Sequence, residues 1–152
     1  MRIAIGSDHR GYRLKQSVAQ LLQELGHQLQ DFGCLDERPI DYPDVAGQVA
    51  QAVARGDFNR GVLICGTGIG MSITANKVPG VRAALCDSPY TARMATEHNN
   101  ANVLCLGGEV VGPGLAQEIV STYLAASFEE GRHVRRIEKI ADLEKRVGVQ
   151  NL

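Results

Sequence analysis

The chain has 152 residues, 44% hydrophobic and 22% charged, with 17 glycines and a formal net charge of −1. Those proportions describe one globular domain spanning residues 1–152 and exclude a disordered or low-complexity chain. A near-neutral balance without a basic stripe excludes a nucleic-acid footprint, and no apolar run approaches the length of a membrane span. The first residues enter a strand-like run with no signal-peptide hydrophobic region, so the expected setting is the cytoplasm and the expected ligands are small.

In chain order, strand and helix patterns alternate throughout. A strand-like run at 3–6 leads through Ser7-Asp8-His9-Arg10-Gly11 into a helical pattern at 12–25, with Val18, Leu21, Leu22 and Leu25 on one face. A second run at 27–32 precedes a helix at 44–55. The third, 61–65, ends at Cys65 and runs into Gly66-Thr67-Gly68-Ile69-Gly70 and a helix at 69–77. Run 81–86 is followed by Asp87-Ser88 and a helix at 89–98, and run 102–106 by Gly107-Gly108-Glu109 and a helix at 115–128. Short apolar strands separated by helices imply a five-stranded parallel sheet covered on both faces, an α/β three-layer sandwich of the flavodoxin or Rossmann kind. A last, charged amphipathic helix at 136–147 carries Ile137, Ile140, Ala141, Leu143 and Val147 on one side, a stripe that would cover either its own domain or a partner subunit.

In such a sheet, ligands bind outside the carboxyl ends of the strands. The third strand puts a thiol there, beside a glycine loop opening a helix, where unpaired backbone N–H groups receive an anion. That pairing suggests a nucleophile or general base acting on a substrate that develops negative charge. A dinucleotide site is the first rival, because Gly66-Thr67-Gly68 begins G-x-G-x-x-G and Asp87 lies about 20 residues on. Its third glycine falls one residue early, at Gly70, and Met71 stands where close packing needs no side chain. A cysteine phosphatase loop lacks its arginine after Cys65. The four cysteines, Cys34, Cys65, Cys86 and Cys105, show no C-x-x-C pair and no zinc-finger spacing, so no metal is expected. Cys86 and Cys105 read as core residues.

The ends of the other strands add Asp8-His9, Asp87-Ser88 and Glu109. The helix between the fourth and fifth strands ends in Glu97-His98-Asn99-Asn100, so several acid–base groups are expected on one edge. Asp8 is equally readable as a helix N-cap, and His98 as a polar residue complementing a helix C-terminus. Arg132 and Arg136, four apart, project together to grip a phosphate if helix already begins there.

Taken together, Gly6-Ser-Asp-His-Arg-Gly-Tyr12, Asp41-Tyr-Pro-Asp44, Cys65-Gly-Thr-Gly-Ile-Gly70, Ala75-Asn-Lys77, Glu97-His-Asn99 and Gly131-Arg-His133 with Arg136 and Glu138-Lys-Ile140 resemble the ribose-5-phosphate isomerase B family. That family also includes galactose-6-phosphate and allose-6-phosphate isomerases. The resemblance covers nearly the whole chain. It implies an aldose–ketose isomerase of pentose phosphate metabolism, interconverting ribose 5-phosphate and ribulose 5-phosphate through a cis-enediolate without cofactor. A six-carbon sugar phosphate or a free aldose is the alternative substrate, and a flavodoxin-like nucleotide-binding module is the non-enzyme alternative.

By the same resemblance, Cys65 is the general base. The amides of Gly66, Gly68, Ile69 and Gly70 hold the enediolate oxygen, and Thr67 lies among them as a hydrogen-bonding partner. His98 and Asp8 open the sugar ring, Asn99 and Tyr42 contact the substrate, and His9, Arg132 and Arg136 hold the phosphate. The family is dimeric with shared sites, so the expected assembly is a homodimer or a dimer of dimers, clasped by the C-terminal helix. One position departs: Glu109 stands where the family commonly has an arginine. Its carboxylate is expected either to repel the phosphate or to turn away and pair with Arg132, Arg135 or Arg136.

Overall fold

The computed structural model describes residues 1–150, with side chains through Arg146. Five strands, β1 (Arg2–Ser7), β2 (Gln28–Asp31), β3 (Arg60–Cys65), β4 (Ala83–Leu85) and β5 (Val103–Gly107), form one sheet in the order β2-β1-β3-β5-β4. Every neighbouring pair is parallel. The helices are α1 (Tyr12–Glu24), α2 (Tyr42–Ala54), α3 (Ile69–Ala75), α4 (Pro89–Glu97), α5 (Pro113–Ala125) and α6 (Arg132–Gln150). No helix among the described residues is long and apolar enough to cross a membrane.

Parallel strands covered on both faces must be apolar at every position. The central strands obey this: Val62, Leu63 and Ile64 of β3 and Val103 to Leu106 of β5 are fully buried. The edge strand β2 reads Gln-Leu-Gln-Asp and stays largely exposed, as suits a strand with one open side. Alternation divides the core into two layers. Ile3, Ile5, Val62, Ile64, Leu104 and Leu106 meet Leu14, Val18 and Leu22 of α1 and Ile119, Val120 and Tyr123 of α5. Ala4, Leu63, Val103 and Cys105 meet Val45, Val49 and Val53 of α2 and Met71 of α3. The expected three-layer α/β/α sandwich is the fold observed.

Three expectations shift. The buried stripe of α1 begins at Leu14 and ends at Leu22, leaving Leu25, the helix C-cap, half exposed. The helix expected at 115–128 stops at Ala125 because Ala126 turns extended, and the last helix starts at Arg132 rather than 136. Glu130 and Gly131 have positive φ, 59° and 51°, and this left-handed pair breaks a chain whose apolar spacing alone runs on. On α6, Ile140 and Leu143 are exposed; the side chain of Val147 lies outside the described residues.

One buried charge ties α1 to the sheet. Lys15 is completely buried and its Nζ donates to Asp31 Oδ1 and Oδ2 at 2.8 and 2.7 Å and to the carbonyl of Cys34. A buried ion pair is costly to form and costlier to break on one side. Lys15→Met should lower the unfolding free energy by about 1–2 kcal/mol in urea titration, because the Asp31 carboxylate left behind is a third exposed and regains water. Asp31→Ala should cost at least as much, since it strands the ammonium in the core.

Candidate active site

The end of β3 is held by the loop after β5. Gly108 N donates to Cys65 O at 2.7 Å and Glu109 N to Gly66 O at 3.0 Å. Chain direction then reverses into α3 at Gly68, whose φ is +78°. A Cβ there would lie 2.5 Å from Leu85 Cδ1 and 2.9 Å from the Leu106 backbone, so glycine is required by conformation and by space alike. Gly70 is required by proximity alone: a Cβ would sit 2.6 Å from the ring of Tyr42, which α2 lays across the loop. The thiol of Cys65 is nearly buried, and Gly68 N–H donates to its Sγ at 3.1 Å. Thr67 Oγ1 accepts from Ile69 N at 3.3 Å, while the amides of Thr67 and Gly70 meet no protein acceptor among the described residues. A nearly buried sulfur therefore adjoins backbone donors still open to a ligand oxygen.

Asp8, at the end of β1, is buried, and its Oδ1 accepts from Arg10 N and Gly11 N, both at 3.0 Å. It closes the turn that precedes α1, at the same edge as the thiol, but it is not the helix N-cap, which is Gly11 without a side-chain cap. His9 Nδ1 accepts from Ile40 N at 3.4 Å. Glu109 faces none of the arginines 132, 135 or 136: its Oε1 takes Arg10 Nε at 2.9 Å. Arg10 is the partner that sequence reading did not name.

His98, Asn99, Arg132 and Arg136 are elsewhere, and the expectation of a single edge is corrected. A helix after a parallel strand runs back against it, so α4 delivers its C-cap, His98, to the amino ends of the strands. Asn102, four residues on, fixes that edge: its carbonyl accepts from Gly61 N at 2.9 Å and its Oδ1 from Arg82 N at 2.8 Å, where β3 and β4 start. β3 has six residues, and at about 3.3 Å per residue the two edges stand roughly 17 Å apart. α6 begins at this same lower edge, with Glu129 N bonded to Glu97 O at 3.0 Å. Because helix starts at Arg132, Arg132 and Arg136 do share a face.

The lower edge is rigidly built. Thr96 Oγ1, fully buried, donates to Tyr123 O at 3.3 Å, and Tyr123 donates its hydroxyl to Ala101 O at 3.1 Å. His98 stacks on His133 with ring centroids 4.3 Å apart and planes 11° from parallel. Both Nε2 atoms lie 3.7 Å from Glu129 Oε2. Sequence reading gave His133 and Glu129 no role; Glu129 lies outside α6, before the left-handed pair Glu130 and Gly131, so helical spacing does not foretell its meeting with His133. These three side chains have the spacing of metal ligands, yet near-parallel rings aim their lone pairs side by side instead of at one point, unlike tetrahedral zinc ligation.

Burial pushes the thiols of Cys86 and Cys105 up, in keeping with their expected place in the core. The imidazole of buried His133 is held below its ordinary value, first by desolvation and then by His98, Arg132 and Arg136. A depressed folded-state value means that, below about pH 6.5, the unfolded chain takes the proton first. Stability should therefore fall as pH drops from about 6.5 toward the folded value. Urea unfolding at neutral and acid pH should show that loss, and His133→Asn should reduce it.

A profile of the ribose/galactose isomerase family matches residues 3–140. The chain is 47% identical over 145 residues to ribose-5-phosphate isomerase B of Escherichia coli (strain K12), covering 95% of this chain and 97% of that protein. It is 46% identical over 146 residues to D-erythrulose-4-phosphate isomerase of Pectobacterium atrosepticum, covering 95% of each. The structure of ribose-5-phosphate isomerase B from Clostridium thermocellum superposes with a TM-score of 0.96 at 52% identity, covering 97% of this chain and 99% of that one. With an α/β sandwich, a thiol in a glycine loop and similarity over nearly its full length, the chain belongs to the ribose/galactose isomerase family and is an aldose–ketose isomerase.

Proposed function

We propose that the chain interconverts ribose 5-phosphate and ribulose 5-phosphate, with Cys65 as the base. The observation that carries this reading is the nearly buried sulfur of Cys65 beside the open amides of Thr67 and Gly70. In the forward direction the thiolate takes the proton from C2 of the open-chain aldose. The C2–H electron pair becomes the C1–C2 double bond, and the carbonyl electrons move to O1. Those amides stabilise the charge on that oxygen where it develops. The proton is returned to C1, the hydroxyl proton passes from O2 to O1, and the ketose results with all atoms conserved and no cofactor consumed. Tyr42, Asn99 and the loop residues Gly66, Gly68, Ile69 and Gly70 line the sugar, and His9, Arg132 and Arg136 take the phosphate.

His98 opens the ring with Asp8. Since one chain holds His98 at the far edge of its sheet from Cys65, the complete site needs a second copy, whose lower edge meets the first copy's thiol loop. The surface supports such docking: a groove between α6 and the β4–α4 edge is lined by Leu85, Tyr90, Met94, Ile140 and Leu143, and four of these, Leu85, Tyr90, Ile140 and Leu143, are large exposed apolar residues. An apolar groove of this kind on a protein that works in the cytoplasm calls for a partner. A four-carbon sugar phosphate is the second reading, favoured by the relative named D-erythrulose-4-phosphate isomerase. Turnover of four-, five- and six-carbon aldose phosphates compared side by side decides between them.

Cys65→Ala should reduce kcat by roughly 10²–10⁴-fold while a sugar phosphate still binds by calorimetry, whereas Cys105→Ala, in the core, should lower only the melting temperature. Near-normal turnover in Cys65→Ala would remove the thiol from the mechanism. Mixing inactive Cys65→Ala and His98→Asn chains should restore part of the activity, because one of the two sites in a mixed dimer then carries both wild-type groups. Absence of recovery in verified mixed dimers rules out shared sites.

A further inference from the structure

Arg10 and Glu109 stand over the thiol loop, and the fold does not need them. Their backbones are anchored nearby, Glu109 N on Gly66 O at 3.0 Å and Arg10 N on Asp8 Oδ1 at 3.0 Å. A Cβ placed on Gly66, the neighbour of Cys65, would meet Glu109 Oε2 at 3.1 Å and Arg10 Cδ and Nε at 3.4 Å. The pair thus bridges directly above the residue that follows the thiol. Side-chain exposures of 59% and 49% make it a weak contributor to stability, so its position calls for another reason.

That reason lies in the unused half of the guanidinium. Arginine carries five N–H donors in a rigid fork. Glu109 engages Nε, and Nη1 and Nη2 meet no acceptor among the described residues. Two such nitrogens side by side fit the oxygens of a tetrahedral anion. We propose that Arg10 binds the phosphate of the substrate and that Glu109 positions it by fixing Nε, an inference that rests on the sugar-phosphate isomerase reading. Because the pair is neutral overall, it attracts anions weakly at long range and selects them by contact geometry.

The test combines steady-state kinetics on ribose 5-phosphate with calorimetry of inorganic phosphate binding, on the full chain. Arg10→Ala should raise KM and the phosphate Kd together by roughly ten- to hundredfold with kcat within about twofold. Arg10→Lys, which keeps the charge and loses the fork, should fall between. Glu109→Gln should raise both constants by roughly three- to fivefold. Arg13→Ala removes a nearby, more exposed cation, paired with Glu37 at 2.6 Å, and should leave both unchanged, excluding a general charge effect. Unchanged KM and phosphate Kd in Arg10→Ala overturn the proposal. Lower values in Glu109→Gln overturn the positioning role and make Glu109 a repulsive group. If the wild-type chain turns over no sugar phosphate, the isomerase reading fails by itself, and the phosphate Kd of Arg10→Ala still decides whether Arg10 holds the anion.

Discussion

A parallel sheet separates the residues at its two ends by the length of its strands, and in this chain that separation governs everything the site can be. Strands enter at one edge and leave at the other, and each helix returns the chain to the starting edge. Residues that follow strands, Asp8, Cys65 and Glu109, therefore gather at the upper edge. A residue that closes a helix, such as His98, is delivered to the lower edge however close it stands in sequence to the next strand. The lower edge carries its own cluster of His98, His133, Glu129 and Arg132. Two clusters on opposite ends of one domain suit the pairing of copies proposed above rather than folding over.

The upper half-site owes its shape to exclusion more than attraction. Gly68 and Gly70 let Leu106 and Tyr42 come closer to the loop than any side chain would permit, and the loop after β5 is bonded to Cys65 and Gly66 from the other side. Backbone held this tightly keeps its amides aimed before a ligand arrives, which is the condition for electrostatic stabilisation without reorganisation. Met71, which breaks the dinucleotide pattern, is fully buried against the sheet and fills the space that pattern leaves empty for close helix packing.

Much of this was legible in the sequence because it rests on short-range rules. Unbroken apolar runs at 62–65 and 103–106, too short for a buried helix, read as strands buried on both faces, and the glycines after Cys65 mark a loop that must turn tightly. The family resemblance supplied roles that no spacing could have assigned, that of His98 above all. Three things were not legible. Helix direction relative to the sheet decides which edge His98 occupies, and local pattern does not contain it. The break at Glu130 and Gly131 depends on left-handed backbone that a glutamate rarely adopts. The partner of Glu109 lies 99 residues away, beyond the reach of a reading that looked for it among nearby arginines.

The bonds from Thr96 to Tyr123 and from Tyr123 to Ala101 fasten the end of α4 to α5 and to the approach of β5, so the backbone bearing His98 has little freedom to swing. A group carried on such a mount cannot be brought to its target by loop closure. In the composite site proposed above, its distance to the sugar would be fixed by how two rigid domains seat against each other, and alignment errors of about 1 Å can cost as much as a hundredfold in rate. Under that proposal the contact surface between copies would be part of the catalytic alignment. Selection for fast turnover would then act on its packing as strictly as on the thiol loop.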